Sequence, residues 1–313
     1  MNITAEKCTR VIIAAFIGIF ITSCSADDRA LDLESYTAEL EQWRSERLAN
    51  LKGPTGYLNL VGLYWLSSGE TRIGSAADND IVFPAEAAPY IGELQSTPDG
   101  VVLVTTSDAD VRYEGVPVSS ILISDDTTAS PVMLTHGSFA WTVIKRDGRF
   151  ALRLRDFEHP AIAAFPAIES YPIDPSLIVD ATLTLFDEPK VMNVNTTIEG
   201  LGYHPESPGS VSFDIDSESY KLEAYASGDS LFFVFGDATS GRETYPAGRF
   251  LYAKVPGEDG KTVLDFNRAY NPPCAFNAFA TCPVASPRNR MQARVEAGEK
   301  YDPDVHSIPE GYH

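Results

Sequence analysis

Cysteine and histidine are scarce in this chain: four cysteines and five histidines among 313 residues. The histidines (His136, His159, His204, His306 and His313) stand far apart and form no close-spaced metal or acid–base motif. There is no Gly-x-Ser-x-Gly elbow, no phosphate-cradling glycine loop and no dinucleotide fingerprint, so no cofactor or metal is implied. A fold can still assemble distant residues, and an enzyme is not excluded. Basic residues are few: 24 Lys and Arg stand against 44 Asp and Glu, a formal charge of −20. That balance argues against nucleic acid as a partner and against adhesion to anionic lipid headgroups. The one long apolar run, Val11 to Ile21, is too short to span a bilayer comfortably. No internal repeat, low-complexity tract or heptad pattern is visible.

What is present begins with an address. Lys7 and Arg10 precede the apolar run, which ends Ile21-Thr22-Ser23-Cys24. This resembles a bacterial lipobox. The resemblance implies a signal peptide over residues 1–23, cleavage after Ser23, and a diacylglycerol thioether with N-acylation at Cys24. The expected location is the cell envelope, lipid-anchored and facing the periplasm, with Ser25 after the cysteine favouring the outer membrane. Several acyl chains make a firm anchor, since each buried methylene adds about 0.8 kcal/mol. Cleavage would remove Lys7, Arg10 and Glu6, leaving 22 basic and 43 acidic side chains and a charge of −21.

Two cysteines then remain, Cys274 and Cys282. In an oxidising compartment their spacing predicts a disulfide closing a short loop, worth roughly 2.5 kcal/mol on the chain-entropy model. With no histidine beside them, they do not make a zinc site.

The rest reads as an all-β chain, mainly antiparallel β-sandwich modules, with one N-terminal amphipathic helix. Residues 24–56 hold a tether and that helix: Tyr36, Leu40, Trp43, Arg47 and Leu51 recur at three- and four-residue steps, and Lys52-Gly53-Pro54 stops it. Tyr36 and Trp43 are expected to pack it on the body. Short apolar runs with turns follow. The run Arg72-Ile73-Gly74-Ser75, a polar loop, and Asp80-Ile81-Val82-Phe83 resembles the opening of forkhead-associated domains, which are phosphothreonine-binding sandwiches. The resemblance implies such a sandwich over residues 57–145. The family's arginine after the glycine is Ser75 here, and no Ser-x-x-His follows Pro84, so architecture alone carries over. A second β module is expected over 146–313. Asp147-Gly148 signals a hairpin leading into a strand whose alternation puts Arg153 and Arg155 on one face. Those two could clamp a carboxylate or phosphate, or pair with acidic neighbours across the sheet. Asp214 and Asp216 read as the wet face of a strand, and Arg290–Gly298 as a last alternating strand.

The richest stretch runs from Asp237 to Pro283. Its polar groups alternate with Phe, Leu and Tyr. Read as a strand, Leu264–Arg268 places Asp265 and Asn267 on one face and Leu264, Phe266 and Arg268 on the other. The runs Thr239-Ser240-Gly241, Glu243-Thr244-Tyr245, Gly248-Arg249-Phe250-Leu251-Tyr252, Asp265-Phe266-Asn267-Arg268-Ala269-Tyr270-Asn271-Pro272-Pro273-Cys274 and Thr281-Cys282-Pro283 resemble the bacterial family called domain of unknown function 1684. The resemblance extends over nearly all of the chain after the signal, to Glu296-Ala297-Gly298-Glu299-Lys300. Pro246 and Val284-Ala285-Ser286 depart from its pattern, in loops. The family implies almost nothing about function.

Chemistry supplies candidates instead. Arg249 and Arg268 offer planar forks to a carboxylate or phosphate. Glu243, Asp265, Asn267 and Asn271 can orient them or read hydroxyls. Tyr245 and Tyr270 offer flat faces with polar tips. The leading expectation is a protein binding a small anionic or polyhydroxylated ligand, such as a glycan, muropeptide or peptide, at 237–283. The first alternative is a hydrolase using Asp265 or Glu243 as general base, which needs a pKa raised by burial. The second is a structural envelope protein whose polar residues lock loops together.

Overall fold

A computed structural model describes residues 31–303. The lipobox and Cys24, and residues 304–313 with His306 and His313, lie outside the described residues. The regular structure of the described chain is mainly antiparallel β-sheet, with a single long helix at its start. That helix, Leu33–Lys52, is capped by Asp32, whose carboxylate accepts from Ser35 N, and it stops where Gly53 turns extended. Its inward stripe is mixed. Leu40 and Leu51 are buried, and polar side chains do much of the docking.

Two sheets face each other in the first module. One has the order Leu60–Trp65, Arg149–Asp156, Phe139–Arg146, Met133–His136, Arg112–Tyr113, Val116–Pro117. The other runs Ile81–Val82, Gly69–Gly74, Gly92–Thr97, Gly100–Thr105, Ser120–Ile123. Ile73, Leu94, Leu103, Leu134, Trp141, Leu152 and Leu154 fill the space between them. Burying a side chain of this size contributes about 1.5–3 kcal/mol, so this core alone holds the two sheets together. The hairpin at Asp147-Gly148 forms as its sequence requires, with both residues at positive φ (49° and 73°) in a two-residue turn. It straddles residue 145, and the sandwich therefore continues to Asp156.

The second module is one six-stranded sheet in the order Arg249–Lys254, Ser230–Phe235, Glu218–Ser227, Glu206–Ile215, Ile178–Val191, Lys261–Asp265. It curls until its end strands meet, where Thr262 Oγ1 donates to Lys254 O at 2.8 Å. Phe213, Leu222, Phe233, Leu251, Leu264 and Phe266 fill the inside. Pro189 sits where the register shifts between Leu185 and Lys190, a bulge that tolerates its missing N–H. Asp216 and Ser217 are the two positive-φ residues of a hairpin turn.

Two expected strands take other forms. The strand ending at Asp265 does not continue through Arg268; residues Phe266–Arg268 are a 3-10 turn. Asp265, the last residue of the strand and paired with Ile178, caps that turn by accepting from Asn267 N, which takes Asn267 out of the strand alternation. In the tail, Met291, Ala293, Val295 and Ala297 point inward and the residues between them are exposed, as alternation predicts. No sheet ladder pairs them. The carbonyls of Val295, Ala297 and Glu299 instead accept from the Arg249 guanidinium.

Candidate functional site

The Asp237–Pro283 stretch separates into a buried scaffold and one cleft wall. Arg249 belongs to the scaffold. It is 1% exposed, pairs with Asp237 at 3.2 Å and serves three carbonyls of the tail. Burial pushes its pKa down, opposed by the Asp237 charge. No fork is left for a ligand, so the expectation that Arg249 binds one is corrected. Asn267 is likewise spent. Its amide oxygen accepts from Asp174 N and its NH2 donates to Asp174 O, both at 2.9 Å, so that it pairs with that backbone as a strand would. Asn271 is fully buried and donates to Lys300 O at 2.7 Å, while its backbone N–H reaches Glu299.

Neither proposed general base has the right surroundings. Both oxygens of Asp265 accept from the Tyr36 hydroxyl, at 2.9 and 3.0 Å, and one also takes Arg268 Nε at 3.2 Å. Glu243 accepts from Arg294 and from the Tyr171 hydroxyl, each at 2.7 Å. Those bonds, Arg294 foremost, hold its pKa below the ordinary 4.5, the opposite of what a base working near neutrality needs. Tyr245 donates to Cys274 O at 3.1 Å and packs edge-on against Tyr301, and burial raises its pKa.

The expected Cys274–Cys282 disulfide is not formed: both cysteines are free. The cause is local. The 3-10 turn Pro273–Ala275 aims the Cys274 backbone N–H at Cys282 Sγ, 3.1 Å away, and the two thiols lie side by side as hydrogen-bonded neighbours.

Arg153 and Arg155 do share a face, and it is not a wet one. Every residue from Phe150 to Asp156 is buried: Phe150, Leu152 and Leu154 in the sandwich core, and the outward-facing arginines where residues 56–59 and a loop of the second module lie over the sheet. Asn277 of the covering loop donates to Leu60 O on the neighbouring strand at 2.9 Å. Arg155 donates to Gly56 O and to Asn59 Oδ1, the latter at 2.7 Å; burial, then the Arg153 charge, pushes it down to about 10. Among the described residues neither arginine has a carboxylate partner, so the cross-strand ion pair is absent too.

Arg268 and Tyr270 are the two candidates that line a cleft. They form one wall of a cleft of about 680 Å³, with Tyr252 beside them. The opposite wall is the N-terminal helix, whose Trp43, Glu46, Arg47 and Asn50 fall at three- and four-residue steps on one face. Thr55, Gly56 and Tyr57 complete the lining with Leu51. Rings dominate: Tyr252 lies nearly parallel to Tyr270 (13°, centroids 6.4 Å apart), and Trp43 meets Tyr270 edge-on at 6.3 Å. The Arg47 guanidinium sits 4.3 Å over the Tyr270 ring, and that of Arg268 5.8 Å from the Trp43 ring. Carboxylates fix both arginines. Arg47 chelates Glu299, itself 3% exposed, while Arg268 spans Asp265 and Glu39. Each commits its Nε and Nη2; Nη1 of both makes no hydrogen bond among the described residues.

Sequence reasoning missed Trp43, Arg47 and Tyr252. Helical spacing assigned Trp43 to packing, and it does pack, yet it also lines the cleft. The available signal was that two cations, Arg44 and Arg47, flank that tryptophan's turn in a chain short of cations.

Comparison with known proteins follows the same division.

Residues 163–300 match the family described as protein of unknown function, DUF1684.

The DUF1684 match covers the second module and the cleft wall bearing Arg268 and Tyr270. It is shorter than the sequence resemblance suggested, since the helix and the sandwich lie outside it. Among solved structures, the chain is similar to an uncharacterized protein of Haloarcula marismortui, at 29% identity over 45% of this chain and 79% of that one, with a TM-score of 0.39. It is similar to the second forkhead-associated domain of an ABC transporter of Mycobacterium tuberculosis, at 31% identity over 28% of this chain and 77% of that one, TM-score 0.21. The cytoplasmic domain of the type III secretion sorting-platform protein PscD of Pseudomonas aeruginosa matches at 16% identity over 36% of this chain and 94% of that one, TM-score 0.21. No curated protein matches. In this chain the residue after the Ile73-Gly74 pair, Ser75, donates its hydroxyl to Ala87 O, and no cation stands there.

Proposed function

We propose that this is a cell-envelope protein, lipid-anchored through Cys24 and facing the periplasm, which binds a polyhydroxylated ligand in the cleft between the N-terminal helix and the DUF1684 module. Glycans and muropeptides are the ligand class. One observation carries the reading: Trp43, Tyr252 and Tyr270 line the same cleft in which Arg47 and Arg268 each keep one amino group uncommitted. Rings supply a platform for the apolar face of a sugar. The spare N–H groups, with Glu46 and Asn50, supply donors and acceptors for hydroxyls. Because Glu299, Asp265 and Glu39 already neutralise the arginines, the cleft suits neutral or weakly acidic sugars better than small dianions. Its volume lies in the range of ordinary ligand sites. The anchor rests on the Ile21-Thr22-Ser23-Cys24 motif, and eight residues separate Cys24 from the first helical residue, Leu33.

The test is a thermal-shift screen of the chain from Ser25 against envelope oligosaccharides and muropeptides, followed by titration of tryptophan fluorescence. A ligand at a hundred times its dissociation constant adds about 2.7 kcal/mol. Trp43→Ala and Arg268→Ala should each weaken a hit tenfold or more. Hits unaffected by both substitutions would place binding elsewhere, and no hit across the screen would leave the cleft as a packing seam.

A further inference from the structure

Beside the cleft, the loop after Tyr270 brings two thiols together in an apolar cluster that Tyr57 and Tyr270 share. Cys274 is half-buried and Cys282 is 4% exposed. The Thr197 hydroxyl lies 3.1 Å from Cys274 Sγ, and the same oxygen accepts from Cys282 N at 3.4 Å. Thr197 N donates to Cys282 O at 2.9 Å, so backbone pairing holds the hydroxyl in place. Behind the pair stands Arg153. It is 8% exposed, it has no ion pair among the described residues, and its Nε has no hydrogen-bond partner. Its charge acts on both sulfurs. A buried guanidinium without an anion is costly, and ionising a neighbouring thiol supplies one.

We propose that Cys274 and Cys282 are a redox-active dithiol for thiol–disulfide exchange with small disulfides, Cys274 attacking and Cys282 resolving. The asymmetry of the pair sets the roles. The accessible sulfur receives hydrogen bonds from Cys282 and Thr197 and the field of Arg153, and its pKa falls. Burial raises that of Cys282. The other titratable groups packed around the pair are tyrosines: Tyr57, Tyr203, Tyr225 and Tyr270 share its apolar cluster, and Tyr245, whose hydroxyl donates to Cys274 O, has its pKa raised by burial and stays neutral at working pH. A low-pKa, accessible thiol beside a buried partner is the arrangement that exchange requires. In the first step the Cys274 thiolate attacks one sulfur of a disulfide RSSR, forming a Cys274–SR mixed disulfide and releasing RS⁻, which takes up a proton. The Cys282 thiol then loses its proton and attacks Cys274 Sγ, expelling the second RS⁻. The protein dithiol is oxidised by two electrons, and RSSR is reduced to two RSH.

The experiment uses the chain from Ser25, reduced and desalted, with oxidised glutathione as the probe. The expected result is an intramolecular disulfide with release of two glutathiones. Cys282→Ser should trap a glutathione adduct on Cys274, and Cys274→Ser should react far more slowly. At pH 6 iodoacetamide should label Cys274 about threefold or more faster than free cysteine, and Arg153→Met should abolish that advantage and move the labelling profile to higher pH. Melting curves of the serine variants report whether they fold. A purified protein whose Cys274–Cys282 bond resists reduction until it is denatured would make the pair a structural staple and overturn the proposal. Labelling no faster than free cysteine, or no adduct in Cys282→Ser, would do the same.

Discussion

Replacing Arg249 by alanine tests the reading of the Asp237–Pro283 stretch as mostly scaffold. The guanidinium is sealed in, pairs with Asp237 at 3.2 Å, and supplies donors to Val295 O, Ala297 O and Glu299 O. Removing one partner of a buried ion pair costs about 3–5 kcal/mol. The three carbonyls lose a donor as well, but the vacated volume can admit a water, so they add about 1 kcal/mol rather than a full desolvation penalty each. The expected loss is therefore about 4–6 kcal/mol. Arg112→Ala is the control. Its pair with Asp110 is exposed, with side chains 44% and 62% accessible, and such pairs contribute at most about 1 kcal/mol. In a fold of this size each kcal/mol lowers Tm by about 2–4 °C, which puts Arg249→Ala some ~10–20 °C below the parent protein. Urea unfolding of the chain from Ser25, followed by tryptophan fluorescence, gives the free energies directly. The Arg249→Ala/Asp237→Ala double variant should cost clearly less than the sum of the two single ones, because the pair acts as a unit. A loss for Arg249→Ala no greater than that of Arg112→Ala would refute the reasoning.

Gly298→Ala should be among the most damaging single-methyl additions. At φ +77° a Cβ would lie 2.3 Å from Ala269 O, so strain and a backbone clash combine to cost about 2–4 kcal/mol in the same assay, whereas Gly115→Ala, at φ +79° in open space, should cost about 1–2 kcal/mol. Acid stability carries a signature of Glu243. Its folded pKa is depressed, so its contribution is present above the ordinary value of 4.5 and is lost as pH falls through the folded value; Glu243→Gln should flatten the acid limb of the stability profile there and leave that limb unchanged above pH 6.

Local chemistry was legible from sequence. The end of the helix followed from Lys52-Gly53-Pro54, the hairpin turn from Asp147-Gly148, and the inward set of residues 291–297 from alternation. These depend on neighbours within a few residues. The same alternation failed at Leu264–Arg268, since Asp265 can satisfy Asn267 N with its own side chain and so starts a 3-10 turn instead of extending a strand.

By itself, then, the sequence determined an all-β body with one helix, and the residue types available for a site. Only the tertiary structure decided their jobs. Arg249 and Arg268 look alike in the chain, yet one is walled in by Asp237 and three tail carbonyls while the other leans on Trp43 at the rim of a cleft. Arg153 and Arg155 looked like an open clamp until residues 56–59 and a loop of the second module closed over their strand. The physical reason is that a side chain's role depends on its desolvation and its partners, and many of those partners come from segments distant in sequence, as where the N-terminal helix brings Arg47 to Glu299.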